Sequence, residues 1–252
     1  MIIWKNQSSL IAGTTLRDQN QPEYNNMALH CGGDSTAIID NRKHLAKRIE
    51  LPLERFVFAN QTHSDHIIKI NEKDAGKGAL DKNDAIPDCD ALYTRSTNLL
   101  LGVFTADCVP ILIYDPMEKL ICAIHSGWMG TVKQITAKTM HTLTQKEGCD
   151  PKHLHAYIGP AIAAHSFEVG MEVVEQLQTL PFDVSPFIRL KNSEKALVDN
   201  KGLNQEMLIR SGVPKENITV DKNDTFAKNE SFFSYRRDHH CGRHLSFIVQ
   251  KG

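Results

Sequence analysis

The chain has 252 residues, 41% of them hydrophobic, which suits one large domain or two small ones with a substantial core. Its 29 Lys and Arg nearly balance 30 Asp and Glu, so no whole-chain field draws it to nucleic acid or to an anionic membrane. No apolar stretch reaches about 18 residues without a charge or Pro, so no transmembrane helix is expected. The N-terminal MIIWKNQSSL lacks the basic and long apolar segments of a signal peptide. Six cysteines (Cys31, Cys89, Cys108, Cys122, Cys149 and Cys241) are scattered with no C-x-x-C pair. That spacing argues against a disulfide scaffold or a zinc ribbon, and for a reducing cytoplasm.

In chain order, residues 14–34 are rich in Gly, Asn, Gln and Asp and read as a long loop. Residues 38–48 have helical spacing (Ile38, Ile39, Leu45, Ile49), with Leu51-Pro52 as the stop. FVFANQ (56–61) and HIIKI (66–70) read as strands around a tight polar connection, and residues 74–88 as loop. ALYT, LLLGVFTA, PILIYD and LICAIH then predict four strands in close succession, with Asp115-Pro116 as a turn. Residues 131–146 predict one helix, with Val132, Ile135, Thr139, Met140 and Leu143 on one face and Gly148 as the stop. LHAYIG (154–159) is a strand, residues 171–180 and 203–209 are helices, and NITV (217–220) and HLSFIV (244–249) are strands. With no repeat or linker, residues 1–252 read as a single α/β domain, a mixed-sheet sandwich flanked by helices.

Three polar interruptions fall at strand ends: His63 in NQTHSDH, Cys108 in TADC and His125 in AIHSGW. Singly, a buried Cys reads as a small core residue and a His as a hydrogen-bonded polar one. Together, two imidazoles and a thiolate form a borderline-soft donor set suited to zinc with one position open. A blue-copper centre uses the same equatorial set, so copper is the other metal these ligands admit. Asp107, in an otherwise apolar run, is expected to orient an imidazole or handle a proton. A metal-free reading makes Cys108 a nucleophile with His125 as its base. After His125, the Gly127 and Gly130 turn and the helix start favour an anion, with Ser126 beside them. HHCGRH, with His239, His240, Cys241 and His244, is dense in donors but fits no zinc module, and reads as a solvated loop before the last strand. His153 and His155 read as structural. In SFFSYRRD (231–238), aromatics and two Arg suit a flat base and a phosphate, or an ordinary exposed edge.

The stretches NQTHSDH, PDCDALYT, GVFTADCVPILIYD, AIHSGWMGT, IGPAIAAHSFEVG and FFSYRRDHHCGR follow one another as in the laccase-domain family, also called multicopper polyphenol oxidase-like and now described as purine nucleoside phosphorylases. The resemblance runs from NNMALHCGGD (25–34) and DNRKHL (40–45) to the C-terminus. It implies a cytotoxic-necrotizing-factor-like α/β sandwich, metal ligands at His63, Cys108 and His125, and phosphorolysis of adenosine, inosine, guanosine and methylthioadenosine, with adenosine deamination besides. Purine nucleosides and phosphate would be the partners, and a monomer or weak homodimer the state. Matching places Asn26 and Arg42 at family pocket positions and Phe233 and Arg236 in the near-terminal motif. Three departures bear on substrate choice: Met129 stands where the resemblance implies Arg, Ala161, Ala164 and His165 where it often has Cys, and His239 where it has Gly.

Overall fold

A computed structural model describes residues 1–252. The chain begins with strands β1 (Ile2–Gln7) and β2 (Leu10–Thr14), followed by helix α1 (Ser35–Arg48). Short strands β3 (Phe56–Phe58) and β4 (Ile67–Lys69) precede β5 (Ala91–Thr94), β6 (Leu100–Thr105), β7 (Val109–Asp115) and β8 (Leu120–Ser126). Helices α2 (Trp128–Val132) and α3 (Ile135–His141) lead to β9 (His155–Ile158), β10 (Glu168–Gly170) and helix α4 (Met171–Leu177). Strands β11 (Ile188–Leu190) and β12 (Lys195–Val198), helix α5 (Asn200–Arg210), β13 (Ile218–Val220) and β14 (His244–Gln250) complete the chain.

Two mixed sheets face each other. One runs β1-β2-β14-β6-β3 and the other β13-β9-β7-β8-β5-β4. Between them, Leu10, Ala12, Leu101, Val103 and Ile248 of the first pack on Leu92, Leu112, Ile121, Ala123 and Tyr157 of the second. The period of two is plain in β14, where Ile248 joins that central layer while Phe247 and Val249 point outward onto Leu45, Ala46 and Ile49 around α1. Ile135, Met140 and Leu143, with Leu208 of α5, cover the far side of the second sheet. The central strands β6 and β8 are buried throughout, as continuous apolar runs require when both faces are covered.

Two adjustments to the sequence reading follow from the chain's path. The helix expected over 131–146 is broken: Gln134 adopts a left-handed φ of 61° between α2 and α3, and the last turn, residues 142–146, widens to a π-helix. Ile135, Met140 and Leu143 nonetheless share one core cluster, so the apolar face persists across the break. The N-terminal hairpin β1–β2 and the three-stranded sheet β10-β12-β11 are not anticipated from the sequence. The second of these packs with α4 and α5 into its own apolar cluster.

The path also answers why a polar TADC sits in an apolar run. β6 belongs to one sheet and β7 to the other, so residues 106–108 carry the chain across the end of the sandwich. A crossing of three residues needs an unusual backbone, and Asp107 supplies it at φ 85°. Cys108 therefore emerges at the end of the sandwich. β7 and β8 are antiparallel with Pro110 opposite His125, which puts the start of β7 and the end of β8 side by side.

Candidate metal centre

The loop between β3 and β4 brings His63 to the same end of the sandwich. The ligating atoms of His63, Cys108 and His125 all lie within 4.8 Å of one another. Cys108 Sγ is 3.9 Å from His63 Nε2, and the two imidazoles meet edge to face at 4.8 Å. Tetrahedral zinc, with metal–ligand distances of about 2.0–2.3 Å, sets its ligand atoms about 3.3–3.8 Å apart, so these two nitrogens and one sulfur are near enough to close on a single such cation with a small inward movement of the side chains.

His125 is held from behind. Its Nδ1 bonds Asp90 Oδ1 at 2.7 Å, which leaves Nε2 for a metal. Asp90 is itself 1% exposed and accepts from the Thr62 and Ser64 amides, at 3.1 and 2.7 Å, and from Ser64 Oγ at 2.8 Å. Burial works against its charge, and the bonds from His125 and Ser64 overcome it, holding the carboxyl well below the usual range. Burial likewise opposes a charged Cys108 and a charged His125. The His125 and His63 imidazoles pull the thiol down, while Cys108 and Asp90 push His125 up. The pair is drawn toward thiolate and imidazolium, so a divalent cation entering here displaces the imidazolium proton and is balanced by the thiolate and the Asp90 carboxylate.

Gly127 gives this centre its room. A Cβ there would lie 2.7 Å from His63 Cδ2 and 3.1 Å from Cys108 Sγ. Gly127→Ala is expected to weaken metal affinity by about 10–100-fold, as comparable displacement of ligand support does, with the melting temperature little changed. Chelator competition measures it, and wild-type affinity would show that the ligands yield freely.

The centre opens on a cavity of about 700 Å³ whose walls include Phe104, Trp128, Phe167 and Tyr235, with Arg236 and Arg243 among its polar groups. Asp107, Gly127 and Arg236 join the three ligand residues on its lining. Asp107 does not bond either imidazole. Its carboxylate accepts from Thr225 Oγ1 at 2.6 Å, Ser234 Oγ at 2.9 Å and the Arg236 amide at 2.8 Å. It ties the Arg-bearing loop to the crossing, and Asp90 holds the place beside His125 that the sequence reading gives to Asp107.

Asn26, Arg42, Ser126 and Phe233 are not on that lining. Asn26 Oδ1 accepts from the Ala28 and Arg243 amides, so it braces the wall from outside. Ser126 is fully buried against Thr131, and Phe233 packs on His244. Arg42 is 1% exposed, donates to the carbonyls of Met27, Gly78 and Ala79, and stacks near Phe58 and Phe104. Its work is to clamp two backbone segments, at Met27 and at Gly78-Ala79, to helix α1. Arg42→Met leaves three buried acceptors without donors and is expected to cost roughly 3 kcal/mol or more in urea unfolding. An unchanged transition midpoint would contradict the clamp.

Sequence reasoning missed Asp90, His30, Gln61, Asn200 and Arg243 at the site. It also set aside HHCGRH as a solvated loop. His239 lines the cavity and lies 4.6 Å from the Tyr235 ring, while His244 is buried at the start of β14. For Asp90 a signal existed, since PDCDALYT places a carboxylate just before a buried strand. Nothing in the sequence says which strand it will stand beside.

A family model described as multi-copper polyphenol oxidoreductase laccase matches residues 12–251. The purine nucleoside phosphorylase YlmD of Bacillus subtilis is 35% identical over 254 residues, covering 98% of this chain and 91% of that protein. The purine nucleoside phosphorylase YlmD of Geobacillus stearothermophilus is 37% identical over 228 residues, covering 90% and 83%. The crystal structure of YlmD from Geobacillus stearothermophilus superposes with a TM-score of 0.93 at 34% identity, over 97% of this chain and 93% of that one. That of the Bacillus licheniformis hypothetical protein YfiH also gives 0.93, at 33% identity, over 96% and 93%.

Proposed function

The chain belongs to the laccase-like multi-copper polyphenol oxidoreductase family, and from that premise we propose that it is a zinc-dependent purine nucleoside phosphorylase with adenosine deaminase activity. The observation that carries the reading is the cavity: an imidazole–imidazole–thiolate set opening between aromatic walls, with two arginines at hand. Aromatic faces suit a purine, and guanidinium groups suit a phosphate. Adenosine, inosine, guanosine and methylthioadenosine are the substrates we assign.

In phosphorolysis a phosphate oxygen bonds to C1′ of the ribose as the C1′–N9 bond breaks, and its electron pair leaves with the purine. Arg236 and Arg243 hold the phosphate and offset its charge as it approaches. Arg236 is braced by the Glu168 carbonyl at 2.8 Å, and Arg243 lies 5.4 Å from the Tyr235 ring. Trp128, Phe167 and Phe104 enclose the base and exclude water. His63, Cys108 and His125 would hold the zinc, and Asp90 fixes the tautomer of His125. When bound, the metal supplies Lewis-acid polarisation and lowers the pKa of water, the chemistry that deamination at C6 requires. None of the six cysteines is paired in a disulfide, in keeping with the reducing cytoplasm in which we place the enzyme.

The test is product analysis at confirmed zinc occupancy. Inosine and phosphate are expected to yield hypoxanthine and ribose 1-phosphate, and adenosine to yield inosine as well. No product from any purine nucleoside would remove the reading. A second reading rests on one observation: Asp90, His125 and Cys108 are aligned as a hydrolase triad would be. Iodoacetamide trapping of Cys108 in the zinc-loaded protein would favour it, and protection by zinc counts against it. Elemental analysis with an absorbance scan separates zinc from the copper of a polyphenol oxidase.

A further inference from the structure

Beneath the cavity, five polar side chains lie wholly or almost wholly buried: Ser126, Thr131, Thr136, Asn200 and Asn204. Their hydrogen bonds fix every proton among them. Asn200 Nδ2 lies 3.3 Å from the Ser126 carbonyl and Asn204 Nδ2 2.8 Å from the Asn200 carbonyl; a carbonyl can only accept, so neither amide is free to flip. Asn204 Nδ2 also donates to Thr131 Oγ1 at 3.0 Å, while its Oδ1 accepts from Thr136 at 2.7 Å. Thr131 has one proton, and it goes to Asn200 Oδ1 at 2.8 Å. Ser126 must then donate to Thr131.

One capacity is left over. Asn200 lines the cavity, its Oδ1 is spent on Thr131, and of the two N–H groups on Nδ2 only one has a protein partner. The apolar part of the cavity lining includes Trp128, Ile162 and Phe167, and the Phe167 carbonyl is bonded to Val198, two residues before Asn200. We infer that Asn200 is a specificity-determining residue whose remaining N–H donates to an acceptor on the edge of the purine base, O6 or N7. The inference rests on the proposed phosphorylase reading. A neutral donor on an apolar wall suits a neutral acceptor, whereas the phosphate is matched by the guanidinium groups. Thr131 makes the choice strict: it holds the amide so that the base meets a donor and never an acceptor.

Asn200→Asp keeps the shape and the acceptor for Thr131 but removes the donor. The test compares inosine, adenosine and 7-deazainosine, each with phosphate, on the zinc-loaded wild type and N200D, alongside calorimetric binding of inosine without turnover. For inosine, kcat/KM and affinity are expected to fall by about 10–100-fold with the KM for phosphate unchanged. If the acceptor is O6, adenosine is spared or improved, because its amine now meets a carboxylate. If it is N7, inosine and adenosine fall together, and 7-deazainosine is already poor for the wild type. Equal loss for all three nucleosides, a change carried by the phosphate KM, or unaltered inosine affinity would overturn the inference. An inactive wild type that still binds inosine through Asn200 would sink the phosphorylase reading instead. Should N200D not fold, Thr131→Val removes one of the two contacts that hold the amide, the Ser126 carbonyl being the other, and is expected to loosen its orientation and erode the inosine preference in the same direction; an unchanged preference would count against the inference.

Discussion

Replacing Cys108 with serine is expected to empty the metal centre and stop turnover while leaving the fold in place. The sulfur is the only anionic donor among the three ligands, and a serine hydroxyl stays protonated where the thiol is drawn down by His63 and His125. Losing it removes charge, softness and one vertex together. Metal affinity should therefore fall by more than the roughly 10–100-fold typical of losing a supporting contact. Turnover should fall by on the order of 10²–10³-fold or more, as when one group stabilising developing charge is removed. The fold should survive because Cys108 is half-buried at the crossing between β6 and β7, and its sulfur meets the His63 and His125 imidazoles rather than the apolar core. Metal content by mass spectrometry, melting temperature and phosphorolysis are measured side by side. Full metal and full rate in C108S would show that the three side chains share a neighbourhood and no ion. Lost turnover at full metal would move Cys108 to the role of nucleophile.

Why the three clustered side chains are legible in the sequence, and the groups that hold them are not, follows from the kind of signal each leaves. Cys108 and His125 interrupt runs that are otherwise apolar, and a polar group at the end of a buried strand stands out against its neighbours. The strands themselves are readable for the same reason. Arg42 shows the limit. The family resemblance implies a pocket position for it, yet its guanidinium is consumed by three carbonyls from segments 15 to 37 residues away. No local pattern records that. The break at Gln134 is equally silent, because Ile135, Met140 and Leu143 keep helical spacing through it. Asn200 reads from the sequence as nothing more than a residue near a helix start. Its importance comes from Thr131 and Ser126, some 70 residues earlier, which decide what its amide offers.

Asp90 separates two accounts of the carboxylates at this site. Both of its oxygens face donors: His125 Nδ1 on one, the Thr62 and Ser64 amides and the Ser64 hydroxyl on the other. Asp90→Asn is close in shape, but wherever its NH₂ points it meets a donor that has lost its acceptor. The substitution also removes the charge that fixes the His125 tautomer. Metal affinity is expected to fall by about 10–100-fold, and urea unfolding to show a loss of roughly 3 kcal/mol, the cost of stripping a buried charge pair of one partner. Asp107→Asn is the control. Its bonds run to Thr225, Ser234 and the Arg236 amide, so it should leave metal affinity at the wild-type value and raise the KM for phosphate through a loosened Arg236. Were D107N to lose metal and D90N to keep it, the crossing residue would be the one orienting a ligand, as the sequence alone suggests. If the outcomes fall the expected way, the adjacent carboxylate that looks functional is a strut, and the distant one, 35 residues before His125, sets the metal's grip.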